Sequence, residues 1–313
     1  MARPTVRALR RASLPTGLVV LAGLCGCIED LLPKDVVRGP RILDMFATRP
    51  EINPGQSTEL RVLLAGTMGV PTYRWYACIA PDATRPGMGL ANFGEATFEG
   101  CFGDATPRTL LGRNPTTTFR APANTLDNLQ ALAMRFGQRV PAEVLQALAR
   151  DVGLVIGLAV EVDVDGTTLR GYKRIVISTN PRPNANPPPP RLQINRVWVS
   201  TVGQETDTCA PEDGSRLRVR RDTRIELAPE ANEETWQESY RVLTASGQLL
   251  DRRETAFYSW YTTNGRMAQG LTRSPTRNNE WVTQSYPRDE TLWVLVRDGH
   301  GGTSGCRVAV TVE

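Results

Sequence analysis

The chain has 313 residues, room for about two domains, and its 40% hydrophobic and 22% charged residues exclude a disordered or membrane-spanning protein. The formal charge of +4 is local: Arg3, Arg7, Arg10 and Arg11 lie before the first acidic residue, leaving 33 of the 37 basic side chains against 33 acidic ones. A neutral body lacks the cation excess that phosphate demands, which excludes a nucleic-acid binder, and a single histidine, His300, excludes most histidine-based catalysis and most zinc chemistry.

Residues 1–26 read as an export signal. A cationic stretch, Arg3 to Arg11, precedes the apolar run Leu14 to Leu24, which is too short to span a bilayer. Leu24-Cys25-Gly26-Cys27 resembles the bacterial lipobox. The resemblance implies cleavage after Gly26 and a lipid on Cys27; two or three acyl chains hold a protein stably on a membrane. Arg10-Arg11 also resembles a twin-arginine signal, but the usual Phe and Lys are missing, and the general export route is expected. Ile28, where Asp would signal inner-membrane retention, points to the outer membrane. The expected location is therefore the cell envelope, on its periplasmic or surface face.

With Cys25 in the signal and Cys27 lipidated, Cys78, Cys101, Cys209 and Cys306 remain. Four cysteines allow three pairings. One bridge within each half, Cys78–Cys101 and Cys209–Cys306, is the simplest, and no ligand spacing for zinc occurs.

Along the chain, residues 27–40 read as a tether. Residues 41–180 form a first domain, the proline-rich run 181–190 a semi-rigid linker, and residues 191–313 a second domain. Residues 58–64 and 216–227 alternate apolar and polar side chains, the period of half-buried strands. Tyr73-Arg74-Trp75-Tyr76 and Tyr258-Ser259-Trp260-Tyr261 repeat one aromatic strand in both halves, and each half closes on a Val-rich hairpin, turning at Asp165-Gly166 and Asp298-Gly299. The first half carries extra length with a helical insert at about 124–152: Leu126, Leu129, Leu132 and Phe136, then Val144, Leu145, Leu148 and Val152 after Pro141, recur at helical spacing. This pair is expected to cap an open edge of the sheet.

Two copies of strands around Tyr-x-Trp-Tyr, each ending in a hairpin, resemble the immunoglobulin-like or PKD-like β-sandwich domains of bacterial surface lipoproteins. The resemblance implies a mainly β fold of two immunoglobulin-like sandwiches, the first with a helical insertion. It departs from the pattern in two places. The Trp-Asp-Phe-Gly-Asp-Gly loop of PKD domains is absent, and Cys306 follows the last hairpin turn.

Candidate chemistry is sparse. His300 sits among glycines and is expected at a flexible hairpin tip. Glu161, Asp163 and Asp165 alternate before Gly166 like the start of a calcium loop, but Tyr172 stands where a bidentate Glu belongs. Arg216, Arg218 and Arg220 share one strand face, read as solvated and countered by nearby acids. Strand alternation puts Tyr258, Trp260, Val294 and Val296 inward, leaving Phe257, Tyr261, Trp293 and Leu295 as one apolar patch on the opposite face. Such a patch is either covered by the first domain or a loop, or it binds a glycan or protein. The expectation is a lipid-anchored envelope protein with a binding, adhesion or structural role, not an enzyme and without cofactor or metal. The alternative is an accessory or catalytic module acting on envelope polysaccharide.

Overall fold

The protein is described by a computed structural model covering residues 33–78, 101–102, 108–125, 141–202, 207–243 and 248–313. Cys27, the export signal and the first helical segment of the insert lie outside the described residues.

The first half contains β1 (Arg41–Ala47), β2 (Glu51–Ile52), β3 (Ser57–Ala65), β4 (Thr72–Cys78), β5 (Arg108–Gly112) and β6 (Thr116–Arg120). Helix α1 (Ala142–Asp151) and the hairpin of β7 (Leu154–Val164) and β8 (Thr167–Ile177) complete it. Alternation in β7 sends Leu158, Val160, Val162 and Val164 to one face, where they meet Met45, Leu60 and Phe119 of the facing sheet around Trp75. The sheets run β1-β3-β6 and β2-β8-β7-β4-β5. In immunoglobulin terms these are A-B-E and A′-G-F-C-C′, with the core tryptophan on strand C.

The second half begins with β9 (Leu192–Ile194), β10 (Val197–Thr201), β11 (Thr208–Pro211), β12 (Arg218–Val219) and β13 (Arg224–Pro229). A protruding hairpin follows, β14 (Ser239–Leu243) with β15 (Leu249–Arg253). Then come β16 (Phe257–Thr262), β17 (Arg266–Met267), β18 (Leu271–Arg273), β19 (Asn279–Val282), β20 (Arg288–Arg297) and β21 (Thr303–Val312). The order β17-β19-β13-β9, continued through β10 to β11-β21-β20-β16-β18, reads D-E-B-A, then A′-G-F-C-C′. In both halves the A′ strand pairs parallel to the last strand, β2 with β8 and β11 with β21. Trp260 and Trp281 fill this core, their indole N–H groups donating to Thr272 Oγ1 (2.8 Å) and Asn264 O (3.0 Å).

The cysteines pair as Cys78–Cys101 and Cys209–Cys306. The β7–β8 turn has Asp165 at φ 50° and Gly166 at φ 74°, the mirror-image turn suited to a tight hairpin. Among the carboxylates that suggested calcium, Glu161 pairs with Arg74 and Arg170, and Asp163 with Arg74. Asp165 accepts from the N–H groups of Met68 and Gly69.

Two expectations are corrected. Residues 216–227 are not one strand: β12 pairs with β21, β13 pairs with β9 and β19, and the chain crosses between layers at a turn with Asp222 at φ 50°. Asp298-Gly299 is not a two-residue turn, because pairing ends at Arg297 and Thr303. Asp298 is fully buried and accepts from the N–H groups of His300 (2.6 Å) and Gly302 (3.0 Å), organising a wider loop. Within the segment read as a tether, Val36 and Val37 are buried, Thr262 N–H donates to Asp35 O, and Val37 N–H to Thr262 O. Burial of two valines together with these backbone bonds ties that segment to the second sandwich.

The proline-rich linker is held by side-chain hydrogen bonds. Asn186 Nδ2 donates to Ala47 O (2.8 Å), its Oδ1 accepts from Thr303 N–H (2.9 Å), and Ser304 Oγ donates to Pro188 O (2.9 Å). Proline-rich backbone has no internal hydrogen bonds of its own, so side chains such as Asn186 fasten it to both halves. Residues 33–313 accordingly form a single compact unit.

Candidate functional site

The four residues of the expected patch share one face, as alternation requires, with Tyr261 opposite Trp293 and Ser259 opposite Leu295. That face is not open. Val37, Leu43, Phe46, Leu63 and Ala65 of the first half pack on Trp293 and Leu295, with Tyr261 half-buried at the margin. Leu295 is fully buried and Trp293 only 5% exposed; Phe257 is half-buried beside the Asp298 loop. The reading of Phe257, Tyr261, Trp293 and Leu295 as an open ligand surface is therefore corrected: Trp293 and Leu295 lie in the seam between the sandwiches with Tyr261 at its margin, and Phe257 packs by the Asp298 loop. The cause lies in β1 and β3, which are apolar on both faces. Leu60, Val62 and Leu64 enter the first core, while Leu63 and Ala65 enter the seam. Gly305 makes room for it, since a Cβ there would lie 2.8 Å from Leu295 and 3.1 Å from Phe46. Asp44 and Arg297 pair across the rim at 2.8 Å.

Beside this seam lies a cleft of about 490 Å³ walled by both halves. Glu51 of β2, Asp151 at the end of α1, and Asn180, Arg182 and Asn184 of the linker face Glu238, Tyr240, Arg241 and Asp251 of the protruding hairpin, with His300 from the Asp298 loop. Arg241 bridges the walls, reaching Asp151 and Asp251, each at 3.0 Å. Arg150, and Arg241 after it, hold the Asp151 carboxyl below the usual carboxylate range.

Deeper in, the expectation of a mobile His300 fails. Its ring stacks on Tyr240 with centroids 3.9 Å apart, and its Nδ1 lies 3.4 Å from Glu254 Oε1. Glu51 accepts from the Ser178 hydroxyl and from Asn184 N–H (2.6 Å), and Glu254 Oε2 accepts from Glu238 N–H (3.0 Å). Burial, then the neighbouring Glu254 and Glu51, push the Glu238 carboxyl up, and burial pushes Asp298 up. This is a preformed, acceptor-rich pocket suited to holding a polar ligand. His300 thus packs between an aromatic ring and a carboxylate.

These raised carboxyl groups make stability depend on pH. A carboxyl raised in the folded state stabilises the protein fully below its unfolded value, and that contribution is lost as pH rises through the folded value. Acidifying from pH about 7 to about 5, still above the ordinary Glu value, is expected to favour the native state more in the wild type than in Glu238→Gln. Paired thermal melts at the two pH values check this. Identical pH responses would mean that Glu238 titrates as a free side chain.

The sequence signalled His300 and the seam residues but not the cleft, whose lining comes from positions 51, 151, 180–184, 238–241, 251 and 300 with no common motif. The Arg216–Arg220 face is partly neutralised, Arg216 by Asp289 and Arg218 by Glu313.

Fold and site together define a mainly β protein of two immunoglobulin-like sandwiches in tandem, with a cleft at their junction. No protein-family model matches the chain, and no curated protein is similar to it. Among solved structures, red sea bream transglutaminase is 9% identical over 87% of this chain and 32% of its own, with a TM-score of 0.21. Three N-terminal domains of the bacteriophage RB49 outer capsid protein Hoc are 11% identical over 88% and 59%, TM-score 0.20. Murine CEACAM1b is 8% identical over 86% and 99%, TM-score 0.22. The chain thus spans less than two thirds of the first two. The fold class rests on strand order.

Proposed function

We propose that the chain is a lipid-anchored cell-envelope protein with a non-catalytic binding role, held by acyl chains on Cys27 and binding through the cleft between its sandwiches. The observation that carries the binding role is the cleft itself, whose walls come from both halves and are fixed in relation by the apolar seam beside it. The lipobox-like Leu24-Cys25-Gly26-Cys27 supports the anchor, and Ile28 supports the outer membrane. Replacing Cys27 by Ser is expected to shift the protein from the detergent to the aqueous phase in a phase-partition assay; unchanged partitioning would overturn the anchor. Pull-down of the intact protein from its own envelope, with mass spectrometry of proteins and glycans, is expected to recover a partner that Glu238→Gln loses. Release of soluble sugars from envelope polysaccharide by the purified protein would overturn the non-catalytic role.

A further inference from the structure

We propose that the cleft binds an organic ammonium ion, the chemistry shared by a polyamine and by an amino sugar with a free amine. This deepens the binding role just described and rests on it.

Asn184 gives the most specific sign. It lines the cleft, is 4% exposed, and its Nδ2 donates to Asp298 Oδ2 and His300 O, both at 3.3 Å. Two acceptors facing one side of the amide fix which end is nitrogen. Its Oδ1 is left without a hydrogen-bond partner among the described residues. Glu254, also 4% exposed, sits directly behind, its Oε1 facing His300 Nδ1 at 3.4 Å. A buried acceptor without a donor is costly, so Asn184 Oδ1 beside the cleft calls for a ligand that brings N–H groups.

Charge gives the sign of that ligand. Glu51, Asp151, Glu238 and Asp251 line the cleft against two cations, Arg182 and Arg241, and behind the lining Glu254 accepts from Glu238 N–H and Asp298 from Asn184 Nδ2. Arg241 is already shared between Asp151 and Asp251, and the buried Lys173 ammonium, behind the loop, donates to Thr303. A carboxylate or phosphate reaching the inner end would meet like charge. An ammonium would meet the Glu51 and Glu238 carboxylates and the Tyr240 ring, whose π face also attracts cations, with the buried, unpartnered Asn184 oxygen just behind the lining.

The test is calorimetric titration of the full-length mature protein with spermidine, glucosamine and N-acetylglucosamine. Spermidine or glucosamine is expected to bind, with N-acetylglucosamine, the uncharged analogue, at least ~10-fold weaker. Binding by spermidine alone assigns a polyamine and by glucosamine alone an amino sugar; either supports the inference. Glu238→Gln, at an exposed position, and Glu254→Gln, which keeps shape and loses charge, are each expected to weaken binding ~10-fold or more. The inference falls if neither amine binds at millimolar concentration. It falls equally if the acetylated sugar binds as well as the amine, or if both variants bind like the wild type. A partner recovered from the envelope alongside any of these outcomes would leave the binding role standing and remove only the ammonium assignment.

Discussion

Trp293→Ala will destabilise the protein by about 3–5 kcal/mol, the range of a buried aromatic rather than of a surface one. The indole is 5% exposed and lies in the seam with Leu43, Phe46, Leu63 and Leu295. Truncation opens a cavity between two sheets that are each pinned by their own cores, so neither can collapse far into it. Trp293→Phe separates shape from hydrogen bonding. The indole N–H of Trp293 has no partner among the described residues, unlike those of Trp75, Trp260 and Trp281, which donate to Asn114 O, Thr272 Oγ1 and Asn264 O. Phenylalanine at 293 should therefore cost less than about 1.5 kcal/mol. Urea unfolding followed by circular dichroism measures both variants. A loss under about 1 kcal/mol for the alanine variant would mean that this face of β20 meets solvent.

The seam was half-legible in the sequence. Period-two alternation in β16 and β20 separated Tyr258, Trp260, Val294 and Val296 from Phe257, Tyr261, Trp293 and Leu295, and the register puts each set on one face. What covers the second set comes from β1 and β3, at the other end of the chain, and alternation carries no information about partners so distant. A signal did exist: Val62-Leu63-Leu64-Ala65 is apolar without interruption, as in a strand buried on both faces. The helix after Pro141 was readable from its spacing, and α1 adds Glu143 in its first turn and Arg150 in its last, matching the helix dipole.

The linker and the cleft were not legible, for a different reason. Proline-rich composition predicts an extended backbone, but it does not say that Asn184 and Asn186 will reach sideways to Glu51, Asp298 and Thr303. Asp298-Gly299 has the composition of a tight turn, yet His300-Gly301-Gly302 supplies a longer loop, with Gly299 at φ 80° and Gly301 at φ 113°, that the buried Asp298 carboxylate can gather. The cleft exists only because these two deviations meet the β14–β15 hairpin. No linear motif encodes such a meeting.

Removing the Cys209–Cys306 bridge will cost more than removing Cys78–Cys101. The bridges span 97 and 23 residues, and closing the longer loop removes more freedom from the unfolded chain. On that basis the contributions are about 4–5 and about 3 kcal/mol. Both cysteines of the longer bridge are buried in the second core, so the paired alanine substitution adds a small packing loss to the entropic one. Its position makes the effect global. Cys306 lies on β21, which pairs along its whole length with β20, the strand carrying Trp293 and Leu295 into the seam. Cys209 holds the short β11 beside β21 through two parallel register positions, too few to keep that edge without the covalent link. Cys209→Ala/Cys306→Ala is therefore expected to lower the urea midpoint more than Cys78→Ala/Cys101→Ala, and at least as much as Trp293→Ala. Adding a reductant to the wild type should reproduce the loss of both bridges together, while each bridge-free variant loses sensitivity at its substituted pair. If the shorter bridge proved the costlier to remove, the chain-entropy argument would fail here, and local packing around Cys101 would outweigh loop length.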